Sequence, residues 1–350
     1  MENKLNKIIP ILILFFLVFR FQVASFRLGY ELSFLYFSSI VFSIFLFKNK
    51  YIYPALFLLL CTFSSFYPLC TLTSINSLRI IFVGIFTYYF MCEIGIDKDC
   101  FLNILSVVCI IHVLFIIAQY FKFDPYLIYG IRTNMEITGL TANPNEASAL
   151  IALCTPAFFR KRVWVLIPLL LLGLFLAKSF GGILSFSLII AAFFLLRGNK
   201  FTGGLLCLSI ILTAYFFIHN PNISHRLSVW VTAIKLYFNE NLFFGFGLGH
   251  WQYISKNYLS ESYNGVYFER AHNTFLQCWF ELGFGFLVIL VGYGNNIIKK
   301  AISDKILIFA LIAIFISCSV NSAFRINALN GLIILVWLSV ITNNRRVRDV

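Results

Sequence analysis

Long apolar runs joined by polar segments make up almost the whole chain. They fall at about 8–26, 32–47, 51–69, 78–94, 101–121, 147–159, 163–177, 181–196, 201–218, 273–293, 306–320 and 328–342. An α-helix needs about 20 apolar residues to cross the ~30 Å hydrocarbon layer of a bilayer. The pattern therefore predicts an all-α, polytopic integral membrane protein with about twelve transmembrane helices. The sixth to eighth runs are short, so either their ends extend into flanking polar residues or they are broken helices lining a cavity.

Two joints are long, a medium loop at about 122–146 and a large one at about 219–272. Residues 1–350 then read as a single membrane domain, with no room for a separate soluble one. Within the large loop, Leu227, Trp230, Ile234, Leu236 and Tyr237 recur at near-helical spacing between Ser224 and Asn239. That spacing predicts a short amphipathic helix at the membrane surface, placed to lid a cavity. No internal repeat and no matched pair of interrupted helices marks the two halves, which weakens a transporter reading.

Charge supplies the orientation. With the N-terminus inside, alternate joints carry Lys48 and Lys50; Lys98; Arg160, Lys161 and Arg162; Arg197 and Lys200; Lys299, Lys300 and Lys305; and Arg345, Arg346 and Arg348. Together with Lys4 and Lys7 these are sixteen of the 27 Lys and Arg, on the side with the short loops. The positive-inside rule makes that side the cytoplasm, with both termini in it. The two long loops then face the other way, where function is expected.

Composition agrees: of 350 residues 60% are hydrophobic, 12% are charged and 42 are Phe, with a mean hydropathy of +0.89. No water-soluble domain carries such a surface. The net charge of +13 is scattered in short clusters, without a continuous basic face, so nucleic acid is not an expected partner. The nine Cys are mostly inside apolar runs, with no C-x-x-C pair, and indicate neither a disulfide framework nor a zinc site. Lys4, Lys7, the run from Ile8 to Phe19 and Val23-Ala24-Ser25 imitate a cleavable signal peptide, but the topology closes only if this segment stays as a first span, a signal anchor.

Three stretches on the non-cytoplasmic side carry candidate chemistry. Gly139-Leu140-Thr141-Ala142-Asn143-Pro144-Asn145-Glu146 precedes a span, with Pro144 holding the chain out of helix and Asn145 placed to cap the next one. Gly245-Phe246-Gly247-Leu248-Gly249-His250 is a turn whose backbone can approach an anion closely; no strand precedes it, which argues against a dinucleotide fingerprint. Glu269-Arg270-Ala271-His272-Asn273-Thr274 stands where the large loop re-enters the membrane, with Glu281 about 13 Å further along the predicted helix. An Arg two residues from a His reads as an anion and proton-transfer site. Lys178 and Arg226 join it as cations placed against the positive-inside bias.

In this order the motifs resemble those of the O-antigen ligases and the related lipid-linked polysaccharide polymerases. The resemblance covers most of the chain in topology and rests on Gly139 to Glu146, similar to the family's Gly-x-x-x-Asn-Pro-Asn stretch; on Lys178-Ser179-Phe180-Gly181-Gly182; on Arg226 and Trp230 leading to Gly245-Phe246-Gly247; and on His272-Asn273 with Glu281-x-Gly283-x-Gly285. One departure stands out. The family often has Ser-Arg-Gly at the second place, where this chain has Phe180, with Lys178 two residues earlier as a substitute that lacks the bidentate fork of Arg.

The resemblance implies transfer of a glycan from undecaprenyl diphosphate to an acceptor hydroxyl at the periplasmic face of the bacterial inner membrane. The acceptor is lipid A core in a ligase or a second lipid-linked glycan in a polymerase, and the residues do not separate the two. Polyprenyl diphosphate is already a competent leaving group, so no nucleotide or other cofactor is expected and no metal is required. Arg226 and Arg270 would bind the diphosphate, His272 would take the acceptor proton, and Glu269 or Glu281 would orient the imidazole or replace it as base. Lys178, Asn143, Asn145, Gly245, Gly247 and Asn273 would bind substrate. The rival expectation is a flippase or transporter of lipid-linked oligosaccharide, which would hold its charges near the midplane instead.

Overall fold

The structure is a computed structural model and describes residues 28–66, 71–124, 136–141, 143–160, 163–199, 203–204, 221–240, 243–259, 270–320 and 328–344. Among these residues the protein is all-helical, with thirteen α-helices and no strand. They are α1 (Leu28–Lys48), α2 (Ile52–Ser64), α3 (Thr71–Ile94), α4 (Lys98–Tyr120), α5 (Pro144–Cys154), α6 (Ile167–Ala177) and α7 (Phe180–Leu196), followed by α8 (Pro221–Asn239), α9 (Trp251–Ile254), α10 (Thr274–Leu282), α11 (Phe284–Ala301), α12 (Lys305–Val320) and α13 (Ala328–Thr342). Two of them are long and apolar enough to cross a membrane, Thr73–Ile94 within α3 and Lys98–Tyr120, and six shorter apolar helices of 10–17 residues accompany them. The signal-anchor run, nearly all of the ninth run, Glu269 and the centre of the 122–146 loop lie outside the described residues.

The helix ends follow from local chemistry. Asp97 caps α4, accepting from Cys100 N at 2.7 Å. Asp304 caps α12 through Ile306 N at 2.9 Å. Three predicted runs are not continuous α-helices, and in the 163–177 run a 3₁₀ turn over Trp164–Leu166 precedes α6. The 147–159 run is α-helical to Cys154 and continues as a 3₁₀ turn over Thr155–Phe159, because Pro156 has no N–H for the α ladder. The 273–293 run breaks into α10 and α11 at Gly283, whose φ of +70° ends the first helix. The amphipathic helix expected over 224–239 is present as α8.

The described residues divide into two compact units. The first holds residues up to 95, 230–270 and 277–296. In it α1 packs on α3 through Phe42, whose ring lies 5.4 Å from Phe82 and edge-on to Tyr89 at 6.1 Å. Ser38, Ser39 and Ser43 are fully buried on α1, small residues that allow close helix approach. The second unit holds residues 96–229, 271–276 and 297 onward. Its centre is α5, buried at every residue from Glu146 to Cys154, as suits a helix that is apolar all round. Gly182 of α7 lies so close to Ser148 that a Cβ would overlap it, and Trp337 of α13 donates its indole N–H to Leu153 O at 3.0 Å.

Polar contacts in the second unit separate into two ends. At one, Lys98 pairs with Asp304 at 2.6 Å, Lys300 donates to Thr342 O at 2.9 Å, and Asn344 donates to Lys300 O at 2.9 Å. Arg160 is tied there as well, to Asn103, Leu102 and Ser106 in the first turns of α4. Four of the joints grouped together by the charge pattern thus meet at one end. The start of α5 lies at the other.

Candidate functional site

At that other end, the polar stretch before α5 folds onto α4. Gln119 Oε1 accepts from both Thr138 N and Gly139 N at 2.8 Å. Two helical turns earlier, His112 is fully buried; its Nδ1 accepts from Leu140 N at 2.9 Å, while Nε2 lies 3.0 Å from Ala147 O. A backbone N–H on one side and a carbonyl on the other fix the neutral tautomer with its proton on Nε2. Gly139 has φ +58°, and a Cβ there would run into the His112 ring. Only glycine fits this turn.

The Asn-Pro-Asn residues then divide their roles. Asn143 is the cap of α5: its Oδ1 accepts from Glu146 N at 3.0 Å and its Nδ2 donates to Glu146 Oε1 at 2.8 Å. The sequence expectation that Asn145 caps the helix is corrected by this geometry, since Pro144 already occupies the first helical position and Asn145 lies inside the first turn. Asn145 reaches sideways, and its Oδ1 accepts from the Ser179 hydroxyl at 2.9 Å. Ser179 follows Lys178, which closes α6 in the left-handed region at φ +52° with its side chain exposed. The first and second sequence motifs are thus in contact.

Arg226 belongs to the same unit. It is half-buried, and its Nη1 lies 3.5 Å from Val320 O, the last carbonyl of α12, where a cation complements the helix dipole. Burial lowers its pKa, although a guanidinium stays protonated under any physiological condition. α12 starts at the Lys98–Asp304 end, so Arg226 marks the end opposite to it. His272 and Asn273 also fall in this unit. Asn273 Oδ1 accepts from Leu276 N at 2.9 Å and so caps α10. His272, immediately before it, is half-buried with φ +52°. Left-handed backbone at a non-glycine residue concentrates at functional sites.

Arg270, Glu281, Gly245 and Gly247 belong to the first unit. Arg270 is half-buried. The glycine turn has an internal anion. Phe246 N and Gly247 N donate at 3.0 Å to Phe280 O and Glu281 O, the terminal carbonyls of α10. Gly249 N donates to Glu281 Oε2 at 3.0 Å, and Gln277 Nε2 donates to Oε1 at 3.0 Å. Glu281 is fully enclosed. Gly245, φ +77°, faces the same carbonyl, and a Cβ would come within 2.6 Å of Glu281 O. These bonds make Glu281 and the glycine turn one structural element, with one carboxylate oxygen on the turn and the other on Gln277.

His112, Gln119 and Asn330, whose Nδ2 donates to Glu146 O at 3.1 Å, are the polar residues that sequence reasoning passed over. The signal for the first two was present: they are the polar positions seven apart, on one helix face, in the apolar 101–121 run. Asp97-Lys98-Asp99 has the spacing of a metal-binding carboxylate pair, but Asp97 is spent on capping and Lys98 on Asp304. Among the described residues no group of three His, Cys, Asp or Glu side chains is arranged to hold a metal. Comparison with protein-family models gives no match, and neither does comparison with curated proteins.

Proposed function

We propose that the protein is a multi-pass membrane glycosyltransferase of about twelve spans, with both termini in the cytoplasm. It moves a glycan from undecaprenyl diphosphate to an acceptor hydroxyl at the periplasmic face of a bacterial inner membrane. The Ser179–Asn145 hydrogen bond carries the reading. It joins two motifs 34 residues apart and so brings the segment carrying Lys178, the residue before Ser179, against Asn145, two residue types that can donate to a phosphate. Arg226 belongs to the same end of the unit. The joints that the charge pattern assigns to the cytoplasm are tied together at the opposite end by Lys98–Asp304, Lys300–Thr342 and Arg160. Cationic chemistry gathered at one end favours an enzyme working on one face over a carrier, whose charges belong near the midplane.

The chemistry follows from the leaving group. Arg226 binds the diphosphate of the lipid-linked donor, with Lys178 and Asn145 as further donors. Partial burial strengthens a cation's hold on phosphate by lowering the local dielectric. His272 in its neutral form accepts the proton of the acceptor hydroxyl. The acceptor oxygen forms the new glycosidic bond to C1 of the glycan, the bond from C1 to the diphosphate oxygen breaks, and undecaprenyl diphosphate leaves with the electron pair. Asn273 sets the start of α10 and so the position of His272. Ligation to lipid A core and extension of a second lipid-linked glycan are both served by this chemistry.

The test is genetic and chemical. The gene is deleted in its host, restored with wild type or His272→Ala, and the surface polysaccharide is compared with the undecaprenyl diphosphate-linked pool. Long unattached lipid-linked chains identify a ligase, and single repeat units on the core identify a polymerase. Repeat units trapped on the cytoplasmic face, or full complementation by His272→Ala, overturn the reading.

A further inference from the structure

We infer that His112 and Gln119 are positioning residues of this site, a two-point strut on α4 that sets where the Asn-Pro-Asn turn presents Asn145. The inference rests on the reading of Asn145 and Lys178 as donors to the lipid-linked diphosphate. Both residues are within a run that otherwise faces lipid or core, yet both are buried, His112 completely and Gln119 to 5% exposure. A buried polar side chain in such a helix is retained only where it has specific partners. Gln119 Nε2 donates to Asp124 Oδ1 at 3.3 Å, and the remaining partners are all in the stretch from Thr138 to Ala147.

Gln119 acts as a single acceptor for two consecutive amides, Thr138 N and Gly139 N. His112 spans the motif: one ring nitrogen takes Leu140 N before the Asn-Pro-Asn residues, and the other holds Ala147 O one turn after them. The imidazole therefore sets the distance between the turn and the first turn of α5. Asn143 and Pro144 fix the helix start within that span, which leaves Asn145 on the side where Ser179 meets it. Gly139 belongs to the device, because any side chain there would displace the ring. The fold alone needs none of this precision: a loop of this length could enter α5 with an ordinary cap.

The wild-type protein, the variants His112→Phe and Gln119→Leu, and the double variant Gln119→Glu/Asp124→Asn are reconstituted in lipid nanodiscs. Amide hydrogen exchange is followed at Thr138, Gly139 and Leu140, with the amides of α12 as a control for global folding. Glycan transfer is measured with the lipid-linked donor and the acceptor varied separately. Removing an acceptor should raise exchange at its own amides by roughly tenfold, at Leu140 for His112→Phe and at Thr138 and Gly139 for Gln119→Leu, with α12 unchanged. The KM for the donor should rise about tenfold, an order typical of losing one charge-assisted contact, with the acceptor KM unmoved. Gln119→Glu combined with Asp124→Asn keeps an acceptor for both amides and a hydrogen bond between positions 119 and 124, and should restore slow exchange and the donor KM, even if Gln119→Leu fails to fold. Unchanged exchange at Leu140 in His112→Phe overturns the strut. Raised exchange with an unmoved donor KM overturns the positioning role. A wild type that neither binds nor transfers removes the functional reading instead, and the exchange comparison alone then decides the strut.

Discussion

The amide of Gly249 and the carboxylate of Glu281 are 3.0 Å apart, and this bond joins the glycine turn to the interior of α10. The glycine-rich segment does hold an anion, as such turns are suited to do, but the anion belongs to the protein. Gln277 occupies the second carboxylate oxygen from the same helix, four residues earlier. A Glu that looks catalytic by its place in a motif is thereby a clamp.

Substitution of Glu281 separates the two roles. Glu281→Gln leaves an N–H facing either Gly249 N or Gln277 Nε2, which should destabilise the fold by about 1–3 kcal/mol. The expected outcome is a lower melting temperature with turnover per folded molecule retained. A variant that melts like wild type but is inactive would return Glu281 to the reacting atoms.

How much of this was legible depends on what each residue answers to. The described helices read directly from their apolar runs, because a long apolar stretch without turn residues satisfies its backbone most simply as a helix, and the amphipathic α8 read from the spacing of Trp230, Ile234 and Tyr237. Breaks inside runs were less visible. Gly283 ends α10 because its backbone meets the Phe243–Gly245 segment, with Phe284 N donating to Phe243 O at 2.9 Å, a contact between residues some forty positions apart. In the site, Lys178 and Asn145 could be nominated as polar residues near helix ends, but that Ser179 joins them, or that His112 braces the turn, depends on how α4, α5 and α7 pack. Asn143 and Asn145 could not be told apart by sequence, since either type caps well; Pro144 at the first helical position decides it.

That distinction between the two asparagines is testable. Asn143→Ala removes the cap and should cost about 1 kcal/mol in stability, whereas Asn143→Asp or Asn143→Ser keeps a capping oxygen and should stay near wild type in both stability and activity. Asn145→Asp keeps an acceptor for Ser179 but places a carboxylate among the residues proposed to donate to the diphosphate. It should melt like wild type and lose at least tenfold in donor affinity, about 1.4 kcal/mol. Equal activity loss from Asn143→Ser and Asn145→Asp would contradict the division of roles.

Gly283 offers a steric test. Its φ is +70°, and a Cβ would collide with Phe243 O and close on the Gly245 amide, so neither the strain nor the contact can be relieved without moving the glycine turn. Gly283→Ala should cost more than the roughly 1 kcal/mol of a left-handed alanine alone. Gly95, also at positive φ but with open space around its Cβ, is the control. Gly95→Ala should show the backbone strain and no more, and equal melting shifts in the two variants would contradict the close approach.

At the opposite end of the second unit, the Lys98–Asp304 pair predicts an acid limb of stability. Burial acts to raise the Asp304 pKa, but the Lys98 ammonium and the N–H groups of Ile306 and Leu307 outweigh it and hold the carboxyl below its ordinary value. A group depressed in the folded state stabilises it in full above the unfolded pKa, about 3.9 for Asp. That contribution is lost as pH falls from there through the folded pKa, because the unfolded chain takes up the proton first. Wild-type melting temperature should therefore fall between about pH 5 and pH 3 more steeply than that of Asp304→Asn, which keeps a capping oxygen for α12 but has nothing to titrate. Above this window the variant should be the less stable of the two, since Lys98 has lost its partner, and the difference should narrow on acidification. Parallel melting curves for the two proteins across that range would mean that the pair contributes nothing to holding this end together.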